Sequence, residues 1–310
     1  PDIQKGEKHE TAENLIQARS LSNENKISSI LARLLIVRNL TSKQLIWNFL
    51  EPHFKHCHDP FMMRDMDHAV QRLITALRLG EKVVIYGDYD VDGTVGTVLL
   101  YRFLQRLGVR VSYFIPKRLK DGYGLTEQTL MELKTRQARL IITVDNGARA
   151  VEEAAFLKRM GIDLLITDHH PPGEQMPEAL AMVNPMRPDC PYPFKGLSGA
   201  GVAFKFLEAL DHQLNVDGFW ERTGKVRANL QQELDLVAFA TISDSMPMTD
   251  ENRYFIQKGL ELMNPCRRPG FQALLRVCGV RGRVTSTEIS FKLAPKINAA
   301  GKVDDPNLAV

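Results

Sequence analysis

The spacing of apolar positions changes along the chain, and the changes divide it. Residues 1–26 are polar and show no period, which predicts a loose lead-in. From KISSILARLLIVRNL through DMDHAVQRLITALRLG the apolar residues recur every third or fourth position, the period of a helix face. This predicts a helical N-terminal region over 27–80, of about three helices, ended by Gly80. Short β-branched runs follow: EKVVIYGD, VRVSYFIP, ARLIITVDNG and GIDLLITDHH. The stretches GTVGTVLLYRFLQRLG, LTEQTLMELKTRQ and RAVEEAAFLKRMG between them have helical spacing. That alternation predicts an α/β fold, a parallel doubly wound sheet of about five strands with ALAMVNP as the fifth. The expected sheet domain covers 81–250, and a helical connector toward a second, missing domain covers 251–310.

Composition narrows the picture only a little. Forty Lys and Arg stand against 37 Asp and Glu in 310 residues, a net charge of +3, so any surface for a polyanion has to be local. No apolar run reaches membrane-spanning length, and PDIQKGEKHE is not a signal peptide. Cys57, Cys190, Cys266 and Cys278 lack metal-type spacing and read as reduced thiols, so a cytoplasmic protein without a membrane partner is expected. The first residue is not Met and the last stretch breaks off mid-pattern, as in a fragment.

The candidate chemistry begins at VVIYGDYDVDGT. Asp88, Asp90 and Asp92 occupy alternate positions behind a predicted strand, and alternate side chains of an extended segment share a side. Three carboxylates held together repel unless a cation sits among them, which suggests a hard divalent metal. An EF-hand loop is excluded, because Leu99 stands where its twelfth-position Glu belongs and a strand precedes it. DVDGT also fits the first motif of haloacid-dehalogenase-type phosphatases, with Asp90 as nucleophile and Asp92 as acid/base. That reading leaves only Asp304 and Asp305 as its later acids, and Asp145 and TDHH idle. A plain acidic helix cap needs one Asp, not three. Sites in parallel sheets form at the carboxyl ends of strands, where Asp145 and Asp168, His169 and His170 also fall. The bunched HFKHCHDP has irregular spacing and reads as surface histidines.

GDYDVDG, VDNG and TDHH, in this order and with these gaps, resemble the DHH phosphoesterase superfamily, and within it the bacterial RecJ-type single-strand exonucleases. RDMDHAVQRLITAL, YFIPKRLKDGYGL, NPMRPDCPYPFKGLSGAGVAFKF, ATISDSMPM and FKLAPKINAAGK extend the resemblance over 27–310. It implies two divalent ions, Mn²⁺ first and Mg²⁺ second, with Asp90 and Asp92 each serving one and Asp88 as an additional acid. Asp145 would bridge the ions, and His169 and Asp244 would complete the second site. Neighbouring residues of an extended strand point opposite ways, so His169 and His170 are not expected to share a metal. His170 is the candidate for the scissile phosphate, and Asp168 for orienting a histidine. Tyr86 stands where many members carry a histidine, so the first site would be weaker, more hydrated, or lean on Asp88.

On the substrate side, Lys117, Arg118 and Tyr123 would grip and stack DNA, or simply form a solvated loop. The glycine-rich turn at Gly199 and Gly201 opens a helix whose free N–H groups suit a terminal phosphate, or serves only helix packing. Asn298, in KINAAGK, resembles part of a family motif, and the resemblance implies that it faces the active cleft on the substrate side. The activity implied is 5′→3′ hydrolysis of single-stranded DNA to mononucleotides in repair and recombination. A single-strand-binding protein and a RecQ-type helicase are the implied partners. Hydrolysis of short oligonucleotides or cyclic dinucleotides, and non-catalytic binding of DNA or a partner protein, are the alternatives.

Overall fold

Strands that are apolar on both faces need cover on both faces, and the chain provides it with helices. The computed structural model describes residues 12–117, 124–265, 268–303, 307 and 310, and the chain divides into units of residues 1–57 and 58–310. The first holds α1 (Ala12–Asn25), α2 (Ser29–Val37) and α3 (Lys43–Leu50). Ser28 and Ser42 cap the last two, each hydroxyl accepting the N–H three residues on. Ala18, Leu21, Ala32, Leu35, Ile36 and Ile46 form its core. A helix therefore stands where a loose lead-in was expected. Ala18 and Leu21 are the α1 residues in that core, too few to print a period on the sequence.

The second unit starts well before the first strand. Helix α4 (Met66–Leu79) buries Met66, Ala69, Val70, Leu73, Ile74 and Ala76, so the region expected to be one helical body over 27–80 is split. Asp65 precedes α4 in the left-handed region (φ 63°). Its carboxylate leaves the helix uncapped and instead accepts from Met182 N–H (3.1 Å) and Arg187 Nη1 (2.5 Å).

The sheet is five-stranded and parallel throughout: β1 (Lys82–Gly87), β2 (Arg110–Phe114), β3 (Leu140–Val144), β4 (Asp163–Thr167) and β5 (Ala181–Val183). Its order is β2-β1-β3-β4-β5. Connections run through α5 (Val91–Leu107), α6 (Glu127–Thr135) and α7 (Val151–Arg159). Leu130, Leu133, Ala154 and Leu157 from α6 and α7 pack on one face against Val84, Tyr86, Ile141, Leu164 and Ile166. The other face carries α4, α5 and α8 (Gly199–Val216). Then follow a short helix at Phe219–Thr223, α9 (Leu234–Ser243), α10 (Asp250–Met263), α11 (Pro269–Val277), a π turn at Ile289–Leu293 and α12 (Ala294–Val303). Helix α10 lies so close along α9 that a Cβ on Gly259 would stand 2.3 Å from the Leu234 carbonyl oxygen. The boundary expected at residue 250 is thus a helix–helix contact inside one unit. Among the described residues, no helix is long and apolar enough to cross a membrane.

Candidate metal centre

The chain leaves β1 toward β2 on one side and returns to β3 on the other. Between β1 and β3 the carboxyl ends open into a crevice, the usual ligand position in such sheets. Register fills it with acids. Gly87 pairs with Val144 and Val144 with Thr167, so Asp88, Asp145 and Asp168, one residue further on, stand in a row. Backbone bonds continue the ladder through that row: Asp88 N–H to Val144 O (3.3 Å), Asp145 N–H to Thr167 O (3.0 Å) and Asp168 N–H to Val183 O (3.2 Å).

Alternation along a strand is not what gathers Asp88, Asp90 and Asp92. The strand stops at Gly87, Asp90 is the N-cap of α5 with its Oδ1 accepting from Gly93 N–H (3.0 Å), and Asp92 lies in the first helical turn. Two groups result. Asp88, Asp90 and Asp145 form one, and Asp92, His169 and Asp244 the other, with ligand atoms within 4.8 Å of each other in each. Asp145 also joins His169 and His170 in a third such group. The two histidines therefore face the same side, contrary to expectation. The β4 strand has ended at Thr167, and Asp168 Oδ1 accepts both the His169 N–H (2.7 Å) and the His170 N–H (3.1 Å), curling the backbone. Asp168 Oδ1 also lies 2.8 Å from His170 Nδ1, and its Oδ2 accepts from Ala148 N–H at 2.8 Å.

Helix α8 closes the site from behind. Ser198 caps it, accepting from Gly201 N–H, while Gly199 and Ala200 donate their N–H groups to Asp92 Oδ2 (2.5 Å) and Oδ1 (2.9 Å). The N–H groups expected to be free for a phosphate are thus occupied. Gly199 has a packing reason to be glycine, since a Cβ there would lie 2.6 Å from Asp145 Cβ. Asp145 itself adopts the left-handed conformation (φ 62°), uncommon for a residue with a side chain and typical of functional sites.

The electrostatics call for a cation. Burial, and then Asp92 and Asp90, push Asp145 well above the ordinary carboxylate range. Burial followed by Asp244 raises Asp92 to about 8 despite the two N–H donors. Burial with Asp90 raises Asp88 to about 7 and Asp244 to about 6. Burial, then His170, lowers His169 to about 4, so its ring is neutral near pH 7. His170 is raised, chiefly by its hydrogen bond to Asp168. His169 Nε2 lies 3.1 Å from Asp145 Oδ1, 3.6 Å from Asp244 and 3.7 Å from Asp92. A neutral ring makes no ion pair there, and the 3.1 Å approach is not aligned as a hydrogen bond, so buried Asp145 Oδ1 has no donor; neither has Asp88 Oδ1. Orphaned buried carboxylate oxygens beside a neutral imidazole fit a divalent ion such as Mn²⁺ or Mg²⁺.

Other sequence candidates are placed differently. Tyr86 is fully buried, its hydroxyl donating to Gly124 O (2.8 Å) and lying 3.1 Å from Thr129 Oγ1, and it belongs to none of the three groups. Lys117 lies just beyond β2, while Arg118 and Tyr123 fall outside the described residues. Asn298 meets the acidic turn, its Oδ1 accepting from Val91 N–H. Sequence reading missed Ala148 and Ser198. Ser198 had a legible signal, a serine directly before a helical run, whereas the Ala148 contribution is a backbone N–H that no side chain announces.

Comparison with known proteins agrees with this fold. Residues 82–241 match the DHH family, N-terminal domain. The single-stranded-DNA-specific exonuclease RecJ of Bacillus subtilis is 38% identical over 295 residues, covering 95% of this chain and 36% of that protein. A crystal structure of exonuclease RecJ bound to manganese shares 34% identity at a TM-score of 0.67, over 80% of this chain and 60% of that one. RecJ from Thermus thermophilus in complex with Mn²⁺ shares 30% identity at a TM-score of 0.74, over 95% and 40%. The chain spans about a third to a half of the length of the curated RecJ proteins it matches. With the parallel sheet, the acid row and the two histidines in place, the chain belongs to the DHH family.

Proposed function

We propose that this chain carries the metal centre of a single-stranded-DNA exonuclease of the RecJ kind, cleaving 5′→3′ to mononucleotides in repair and recombination. The observation carrying the proposal is the convergence of Asp88, Asp90, Asp92, Asp145, His169 and Asp244 into overlapping groups that share Asp145 or His169. The RecJ relatives, named for that activity, support the substrate class. Asp88, Asp90 and Asp145 would hold one divalent ion, and Asp92, His169 and Asp244, with Asp145, a second. When bound, such a pair supplies charge neutralisation at phosphorus and a more acidic attacking water.

The chain's own groups do the rest. Asp168 fixes His170 through Nδ1 and leaves Nε2 of this half-exposed ring for a phosphate oxygen. Gly199 and Ala200 hold the Asp92 carboxylate against rotation, so both of its oxygens keep a set direction. Lys117, Arg118 and Tyr123, which follow β2 in the sequence, would take the DNA strand. The single-strand-binding protein, the RecQ-type helicase and the cytoplasm belong to the same reading. A non-catalytic binder would have no use for a complete set of converging ligands.

The test is digestion of matched 5′-phosphorylated single- and double-stranded DNA and a cyclic dinucleotide, with Mn²⁺ or EDTA and with Asp145→Ala as control. The expected result is metal-dependent loss of the single strand alone, abolished in the variant. Cleavage of only the dinucleotide moves the protein to the small-substrate reading. Tight strand binding without cleavage makes it a binder.

A further inference from the structure

A helix that starts directly behind an acidic turn needs acceptors for its first N–H groups, and the turn supplies one of them. Asp90 takes the Gly93 N–H on its own carboxylate. The Val91 N–H goes elsewhere: Asn298 Oδ1 accepts it at 2.9 Å, from α12 and 207 positions along the chain. Gly301, three residues on and so on the same helical face, lies against the other side of the turn. A Cβ on Gly301 would stand 2.1 Å from the Tyr89 carbonyl oxygen. Helix α12 therefore touches the peptide groups on both sides of Asp90. The π turn at Ile289–Leu293 adds a residue just before α12 and so helps set which of its faces meets the turn.

We propose that α12 is the outer brace of the acidic turn, with Asn298 and Gly301 as positioning residues that hold Asp90, and with it Asp88, at the separation a cation beside Asp145 requires. The physical need is plain. Asp88, Asp90 and Asp145 repel one another, and a turn that carries two of them opens unless its backbone is held from outside. Asn298 Oδ1 is committed to Val91, so the motif read from sequence as facing substrate acts through the metal ligands instead. Helix α12 lies outside the stretch matched by the DHH family, so the centre draws on chain beyond that match.

The inference rests on the acids being cation ligands and not on DNA being the substrate, so the test reads Mn²⁺ affinity first. Calorimetric or paramagnetic-resonance titration of the full chain compares the parent with Asn298→Ala, Asn298→Asp and Gly301→Ala, alongside kcat and KM on single-stranded DNA. Asn298→Ala is expected to weaken Mn²⁺ binding about ten-fold or more and to lower kcat with KM near the parent value. Asn298→Asp keeps the acceptor and is expected to bind within about three-fold of the parent, or more tightly. Gly301→Ala should repeat the Asn298→Ala result with the Asn298 side chain intact; where it fails to fold, the Asn298 pair decides. Parental Mn²⁺ affinity in Asn298→Ala overturns the brace, and a raised KM alongside it returns Asn298 to the substrate side. Equal losses in Asn298→Ala and Asn298→Asp overturn it too, because the acceptor then does not matter. A parent that binds no Mn²⁺ removes the metal reading and the brace together, whereas Mn²⁺ binding without DNA cleavage removes only the exonuclease reading.

Discussion

At Asp145 three unfavourable features meet: full burial, a left-handed backbone and like charges on neighbouring residues. Stability alone would not select them, so replacement should separate folding from binding. Asp145→Asn keeps the shape, tolerates φ 62° and removes one repelling charge. Its metal-free Tm should rise by a few degrees while Mn²⁺ affinity falls ten-fold or more, read by thermal melting in EDTA and by titration. The same charges set a pH dependence. Asp88, Asp92 and Asp244 have folded pKa values of about 7, 8 and 6 against an ordinary 3.8. A carboxyl raised on folding stabilises fully below its unfolded pKa, and that contribution is lost as pH rises through the folded one. His169, lowered to about 4 from 6.5, acts in the opposite sense, losing its contribution as pH falls below 6.5. Above that pH His169 is neutral in both states, and the raised carboxyls and the raised His170 all pull one way. The Tm in EDTA should therefore fall from about pH 6.5 to 8, and the increase in Tm on adding Mn²⁺ should grow over the same range. A flat EDTA profile would mean that the carboxylates are already compensated without metal. The residues that converge here were legible in the sequence as candidates, Asp88, Asp145 and His169 by their place behind strands and Asp244, at a helix end, only through the resemblance. Their grouping was not, since it depends on where β1 stops and on the turn that Asp168 imposes.

Elements were legible where the apolar pattern was dense. Four of the five strands lie in the predicted β-branched runs, and the three-residue β5 lies within the predicted ALAMVNP. Helix α1 was missed because little of it is buried, and α4 was assigned to the wrong neighbour because periodicity shows an apolar face but not what covers it. The glycine-rich start of α8 was legible as a helix entry but not in its use. Its N–H groups grip a carboxylate of the same chain, a contact between residues 107 and 108 positions apart. Gly199 tests that arrangement. Gly199→Ala drives a Cβ to 2.6 Å from Asp145 Cβ, so α8 must retreat and take the two donors off Asp92. The expected cost is about 1–3 kcal/mol of stability by chemical denaturation, together with weaker Mn²⁺ binding. Unchanged Mn²⁺ affinity would show that Asp92 does not depend on α8 for its position.

For the whole molecule, the decisive matter is where the body that carries the acid and histidine groups begins. The sequence pattern sets a boundary near residue 81, where strands replace helices, whereas the structure sets it at His58. The two differ by α4 and the segment before it. Helix α4 buries Met66, Val70, Leu73 and Ile74, each contributing roughly 1.5–3 kcal/mol, or about 6–12 kcal/mol together. That approaches the full 5–15 kcal/mol stability of a typical domain, before counting the Asp65 carboxylate that ties the start of α4 to Met182 and Arg187. Among the described residues, every group able to hold a metal lies between Asp88 and Asp244, inside the second unit, and none includes a residue of 12–57. A chain starting at His58 should therefore melt cooperatively and keep an Mn²⁺ affinity within about three-fold of the parent. A chain starting at Glu81 should be unfolded or aggregate, because the loss equals the stability available to offset it. Circular dichroism melts with and without Mn²⁺ distinguish the two. A cooperative, metal-responsive transition in the shorter chain would show that α4 merely decorates the sheet.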